Sequence, residues 1–161
     1  MLPISAANSQ RIADALAMCI SAFAGKFHRD GMPACMHSIM VAMDQETPEA
    51  IELALLHDVP EDCGEIWFKK IRERFGDLTY YRVQVITRRD KETYPEYSQR
   101  ISDSGDVIII RVKISDLRHN MSPMRSDEKS RQKAVAYGNS HDMLVRRFHD
   151  LCSAPSASST I

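Results

Sequence analysis

The sequence predicts an all-α, single-domain helical bundle, and three observations carry that prediction. Apolar residues recur at helical spacing along most of the chain. Helix-start and helix-stop residues punctuate it at regular intervals. The one strand-like run, VIIIRVKI at 107–114, has no second run nearby to pair with. A chain of 161 residues, 43% hydrophobic, is long enough to bury one core.

Taken in order, residues 5–25 place Ile12, Ala13, Leu16, Ile20 and Phe23 on one helical face. KFHRDGMP (26–33) is polar, ends in Gly and Pro, and reads as a loop. A short helix follows over 34–43 and carries His37. Thr47 as a cap, Pro48 at the first helical position and Glu49 and Glu52 behind them open a helix over 48–57, and Pro60 stops it. EIWFKKIRERFG (65–76) is an amphipathic helix ended by Gly76. Asp77 is expected to cap the next helix, 78–88, and RRDKE makes a charged turn before a helix over 94–103. The stretch 106–121 reads as helix because Ile109, Val112, Asp116 and Asn120 fall on one stripe. A last helix is expected over 126–150. The domain is thus placed at 1–150, with 151–161 a small, polar, disordered tail.

Composition excludes several classes. A net charge of −1 offers no general surface for nucleic acid. No apolar run approaches the roughly 20 residues of a transmembrane helix, so no membrane role is expected. The start, MLPISAANSQRIADAL, lacks the pattern of a secretory signal. Cys19, Cys35, Cys63 and Cys152 show no C-x-x-C spacing and read as free thiols, which predicts a cytoplasmic protein and speaks against zinc held by cysteine. Composition leaves the oligomeric state open.

The chemistry concentrates in ALLHDVPED, residues 54–62. Core-type residues run directly into His57 and Asp58, an expensive ending for a buried helix unless something binds there. His37, His57-Asp58 and Asp116 lie on three separate helices, and two imidazoles with two carboxylates suit a divalent first-row metal with positions left for water and substrate. Singly, each has an ordinary explanation: a surface histidine, a helix C-terminus with a dipole-stabilised imidazole, a solvated aspartate. Together they are harder to dismiss, because Glu61 and Asp62 stand about one turn beyond His57-Asp58 and Asn120 stands four residues past Asp116. Lys113, three residues before Asp116, shares its face and is the better of the nearby cations for phosphate.

The order His37, ALLHDVPED, RVKISDLRHN resembles the HD-domain superfamily of metal-dependent phosphohydrolases. It is most similar to the RelA/SpoT-type hydrolase domain in its small stand-alone form, with HDxxED at 57–62, VKxADxxHN at 112–120 (Ser115 for the alanine) and ITRRDKETYPEYSQRI for the third motif. The resemblance spans roughly residues 8–150. It implies one Mn²⁺ held by His37, His57, Asp58 and Asp116, with Glu61 and Asp62 acting on water. It implies a nucleotide substrate, (p)ppGpp, whose 3′-pyrophosphate is hydrolysed to give pyrophosphate and GDP or GTP. It places His28, Arg29, Lys113 and Asn120 at the substrate. His28 and Arg29 stand where the family has Arg and Lys, and Ala34 where it has Tyr, so the base-flanking loop departs from the pattern. Two alternatives stand beside this reading: an HD phosphohydrolase of another nucleotide or phosphoester, and a non-catalytic domain that binds a nucleotide or a partner.

Overall fold

Side-chain caps set many of the helix starts. In a computed structural model that describes residues 4–121 and 128–153, Ser5 accepts the Asn8 N–H at 3.2 Å and opens α1 (Ala6–Ala22). The loop after it closes through an isolated bridge between Phe27 and Pro33 and leads into α2 (Cys35–Met43). α3 (Pro48–Leu56) begins as expected, with Thr47 accepting the Ala50 N–H at 3.3 Å and Pro48 in the first turn. α4 (Val59–Cys63), α5 (Ile66–Phe75), α6 (Asp77–Ile86) and α7 (Tyr94–Asp103) follow, then α8 (Val107–Met121) and α9 (Glu128–Ser153). Thr93 and Glu96 form a reciprocal capping box at α7. Asp106 caps α8, its Oδ1 accepting from the N–H groups of Ile108 (2.9 Å) and Ile109 (3.3 Å).

Three details differ from the sequence reading. Asp77 does not cap α6; Gly76, at φ 88°, ends α5 and precedes α6, and the Asp77 carboxylate accepts from Arg72 Nε at 2.6 Å instead. Pro60 does more than stop α3. It lacks the N–H that would bond back to Leu56, which breaks the helix there, and it then sits in the first turn of α4, where a missing N–H costs nothing. Residues 151–153, assigned to the tail, continue α9; the rest of the expected tail, like positions 126 and 127 of the last helix, lies outside the described residues.

VIIIRVKI is helical because it is the central element of the bundle. α8 packs against α2, α3, α6, α7 and α9, and Ile109, Ile110, Val112 and Leu117 are fully buried around it. Each such side chain contributes about 1.5–3 kcal/mol by leaving water. The same burial carries Lys113, Ser115 and Asp116 inside. α3, wedged against α1 and α2, buries Leu53 to Leu56 and delivers its C-terminus to the same place. Among the described residues no helix is long and apolar enough to cross a membrane.

Candidate metal centre

Four side chains from three places in the bundle converge. His37 comes from the middle of α2, His57 and Asp58 from the junction of α3 and α4, and Asp116 from α8. Each offers one ligand atom, and the four atoms lie within 4.8 Å of one another. His37 Nε2 lies 2.8 Å from Asp116 Oδ1 and 3.5 Å from Asp58 Oδ2. His57 Nε2 lies 3.1 Å from Asp58 Oδ1 and 3.7 Å from Asp116 Oδ1. Both imidazoles and Asp116 are buried, while Asp58 keeps about a quarter of its side chain exposed and marks the open side.

The histidine orientations fit a cation. His57 Nδ1–H donates to the Ala54 carbonyl at 2.7 Å, a carbonyl near the end of α3. That bond fixes the tautomer and leaves the Nε2 lone pair pointing at the two carboxylates. His57 Nε2 is buried and finds no hydrogen-bond partner. An orphaned buried acceptor between two carboxylates is what a metal ligand looks like before its ion is considered. Two nitrogens and two carboxylate oxygens, with no thiolate, suit a borderline-to-hard divalent metal. None of the four free cysteines joins the cluster.

Electrostatics point the same way. Burial pushes Asp116 up, but Lys113 and the two histidines outweigh it and hold its carboxyl well below the usual range. Burial pushes His57 down, yet Asp58 and Asp116 raise it well above its ordinary value. Asp58 is lowered against its own burial by His57 and His37. Two ionised carboxylates in a closed space therefore demand positive charge between them. A proton on the imidazole is one source; a divalent cation is the other.

The remaining predicted residues divide. Asn120 Nδ2 donates to Asp116 Oδ1 at 2.6 Å, which puts it at the centre as expected from its four-residue spacing. Lys113 is also there, but turned inward: its Nζ donates to Asp116 Oδ2 at 2.7 Å, lies over the Tyr97 ring at 4.8 Å, and is buried. Glu61 and Asp62 follow on α4 and are exposed; Glu61 Oε2 accepts the Arg88 N–H at 3.2 Å, and the Asp62 carbonyl accepts from Lys26 Nζ at 2.6 Å. Neither belongs to the four-residue cluster. His28 and Arg29 stand on the bridged loop, with His28 Nε2 buried and unpartnered and Arg29 exposed.

Several contributors were not legible in the sequence. Asp44, at the end of α2, gathers Ser115 Oγ (2.7 Å), Arg118 Nη2 (2.8 Å) and His119 Nε2 (2.9 Å), and so ties the helix bearing His37 to the helix bearing Asp116. Tyr97 donates its hydroxyl to the Ile86 carbonyl and floors Lys113. Arg100 straps the α6–α7 loop through Glu92 and the carbonyls of Val85 and Thr87. These partners are 8 to 75 positions apart, beyond any local pattern.

Comparison with known proteins returns no matching family model. Among curated proteins, the chain is 27% identical over 128 residues to a guanosine-3′,5′-bis(diphosphate) 3′-pyrophosphohydrolase of Haemophilus influenzae, covering 70% of this chain and 18% of that one. It is 24% identical over 143 residues to the bifunctional (p)ppGpp synthase/hydrolase SpoT of Escherichia coli, covering 79% and 20%. It is 28% identical over 126 residues to a GTP pyrophosphokinase of Streptomyces coelicolor, covering 70% and 14%. Among solved structures, a metazoan SpoT orthologue that hydrolyses ppGpp superposes with a TM-score of 0.68 at 15% identity, over 94% of this chain and 96% of that one. The chain is similar to the SpoT-type hydrolases. That structural likeness shows that the helical fold is the one such a hydrolase uses. The chain itself spans only 14–20% of the length of these SpoT-type and related curated proteins.

Proposed function

We propose that the protein is a metal-dependent phosphohydrolase that cleaves the 3′-pyrophosphate of (p)ppGpp, giving pyrophosphate and GDP or GTP. The observation that carries this is the four-residue cluster of His37, His57, Asp58 and Asp116, with its orphaned imidazole nitrogen, on a fold shared with a ppGpp hydrolase. We assign these four residues as the ligands of one divalent ion, Mn²⁺ in function. The bound ion supplies Lewis acidity, lowering the pKa of water and drawing charge from a phosphoryl oxygen.

The protein's own groups do the rest. Glu61, with one carboxylate oxygen held by the Arg88 N–H, keeps the other to accept a proton from the attacking water, and Asp62 orients that water. The water oxygen bonds to the phosphorus next to the ribose 3′ oxygen; the bond to that oxygen breaks, and the sugar hydroxyl takes up the proton. Asn120, which donates to Asp116 at 2.6 Å, stands beside the ion's ligands and contributes amide hydrogen-bonding groups toward the substrate. His28 and Arg29 face the nucleotide from the bridged loop. Lys113, expected at phosphate, is buried against Asp116, where it orients and neutralises that ligand. We place the protein in the cytoplasm, where this nucleotide would be met.

The test is release of pyrophosphate and GDP from ppGpp by chelator-stripped protein, with and without added Mn²⁺. Manganese-dependent release supports the reading. No release from ppGpp, alongside metal-dependent turnover of another phosphoester, would leave the metal centre in place and remove the alarmone.

A further inference from the structure

The floor of the proposed site is anionic. Asp58, Asp116 and Glu61 bring carboxylates to the proposed site, and Lys113 is buried against one of them. A polyphosphate is repelled by such a floor unless the walls supply fixed cations. Several arginines of α6, α7 and α8 are already committed. Arg82 pairs with Asp106 at 2.8 Å, Arg100 with Glu92 at 2.7 Å, and Arg118 with Asp44 at 2.8 Å. Lys113 is spent on Asp116, while Lys26 donates to the neutral Asp62 carbonyl and keeps its charge.

The α6–α7 loop is different. Its backbone is built firmly: Arg100 bonds the carbonyls of Val85 (2.7 Å) and Thr87 (3.1 Å) and both Glu92 oxygens, and Glu92 accepts the Arg89 N–H at 3.0 Å. Tyr97 holds the Ile86 carbonyl from below. The loop is docked on the site by the Arg88 N–H, which donates to Glu61 Oε2 at 3.2 Å. Arg88 is thus attached at its backbone to the residue proposed to activate water. Its side chain is exposed, and no carboxylate among the described residues engages the guanidinium. An arginine side chain is long enough to reach from that backbone N–H across the Glu61 carboxylate. A planar five-donor fork recognises the paired oxygens of a phosphate group.

We propose that Arg88 is a phosphate-binding specificity residue, which selects substrates carrying a pyrophosphate group over singly charged phosphoesters. The assignment deepens the proposed function and rests on its metal site, but its ligand chemistry is pyrophosphate itself, with or without a guanosine. Holding a phosphate beside Glu61 also brings the scissile phosphorus to the water that Glu61 would deprotonate.

The test uses the full chain loaded with Mn²⁺ and inorganic pyrophosphate as the probe, titrated calorimetrically at saturating metal. Arg88→Gln should weaken pyrophosphate binding about tenfold or more, and Arg88→Lys should restore part of the loss, because a point charge replaces the fork without its geometry. Metal content should match wild type in both. In ppGpp hydrolysis the Arg88→Gln change should appear chiefly in KM. Equal pyrophosphate affinity in wild type and Arg88→Gln would overturn the inference. Arg88-dependent pyrophosphate binding by a protein that fails to hydrolyse ppGpp would keep the subsite and overturn the alarmone reading.

Discussion

Replacing Lys113 by methionine tests how the centre balances its charge. The substitution keeps an unbranched stem over Tyr97 and removes only the cation. Asp116 is 2% exposed and loses the Nζ that lies 2.7 Å from its Oδ2. Removing one partner of a buried pair leaves an uncompensated charge and typically costs about 3–5 kcal/mol. His37 and Asn120 still donate to the other oxygen, so the lower end, about 3 kcal/mol, is expected for metal-free protein. At this chain length that corresponds to a drop in Tm of about 6–12 °C. The cost should shrink when Mn²⁺ is added, because the ion supplies the missing charge at the same carboxylate. Urea unfolding of wild type and Lys113→Met, each with and without Mn²⁺, measures both quantities. The metal should stabilise the variant more than the wild type. A metal-free variant within about 0.5 kcal/mol of wild type would refute the claim that Asp116 is an ionised, lysine-dependent carboxylate, since that is the scatter of ordinary surface changes.

Glu61→Gln with Asp62→Asn should retain metal and lose turnover on the order of 100-fold or more, as removal of a general base does; loss of metal together with activity, by elemental analysis, would count against the role. Asp44→Ala should cost about 1–2 kcal/mol in denaturant unfolding by freeing Ser115, Arg118 and His119 from α2. Burial pushes the Asp44 carboxyl up, but the hydrogen bonds of Ser115 and His119 and the neighbouring charges win and hold it below its ordinary value. The clamp is therefore fully present above the unfolded carboxylate pKa of about 3.9 and fades as pH falls through the lower folded value, so wild type and Asp44→Ala should converge in stability at acid pH. His28→Arg with Ala34→Tyr should lower KM for ppGpp more than it raises kcat, because these side chains would hold ground and transition states alike; steady-state kinetics in which only kcat moved would contradict that placement.

Why some of this was readable in the sequence and some was not follows from distance along the chain. His57 and Asp58 were legible because a core helix cannot end in two polar residues without a reason, and Thr47 and Pro48 fixed where that helix begins. Asp116 and Asn120 were legible because four residues make about one turn, and a 2.6 Å hydrogen bond joins them. Lys113 was placed on the correct face and offered to phosphate, and in the structure its Nζ donates to Asp116. Spacing gives the face of a helix; it does not tell that α8 is wrapped on nearly all sides, which turns the lysine onto its own helix. Asp77 obeyed a local capping rule and lost to Arg72, which reaches it from the preceding helix. Arg88, Tyr97 and Arg100 lie within the motif at 86–101, but their partners, like those of Asp44, are set by how separate elements pack and gave no local signal.

The most direct test of the metal centre is the Mn²⁺ stoichiometry of chelator-stripped protein reloaded under saturating metal, compared with a His57→Ala, Asp58→Ala double variant whose folding is checked by circular dichroism. One tightly held ion per wild-type chain is expected, and none in the variant. A folded double variant that still holds one ion would contradict the assignment.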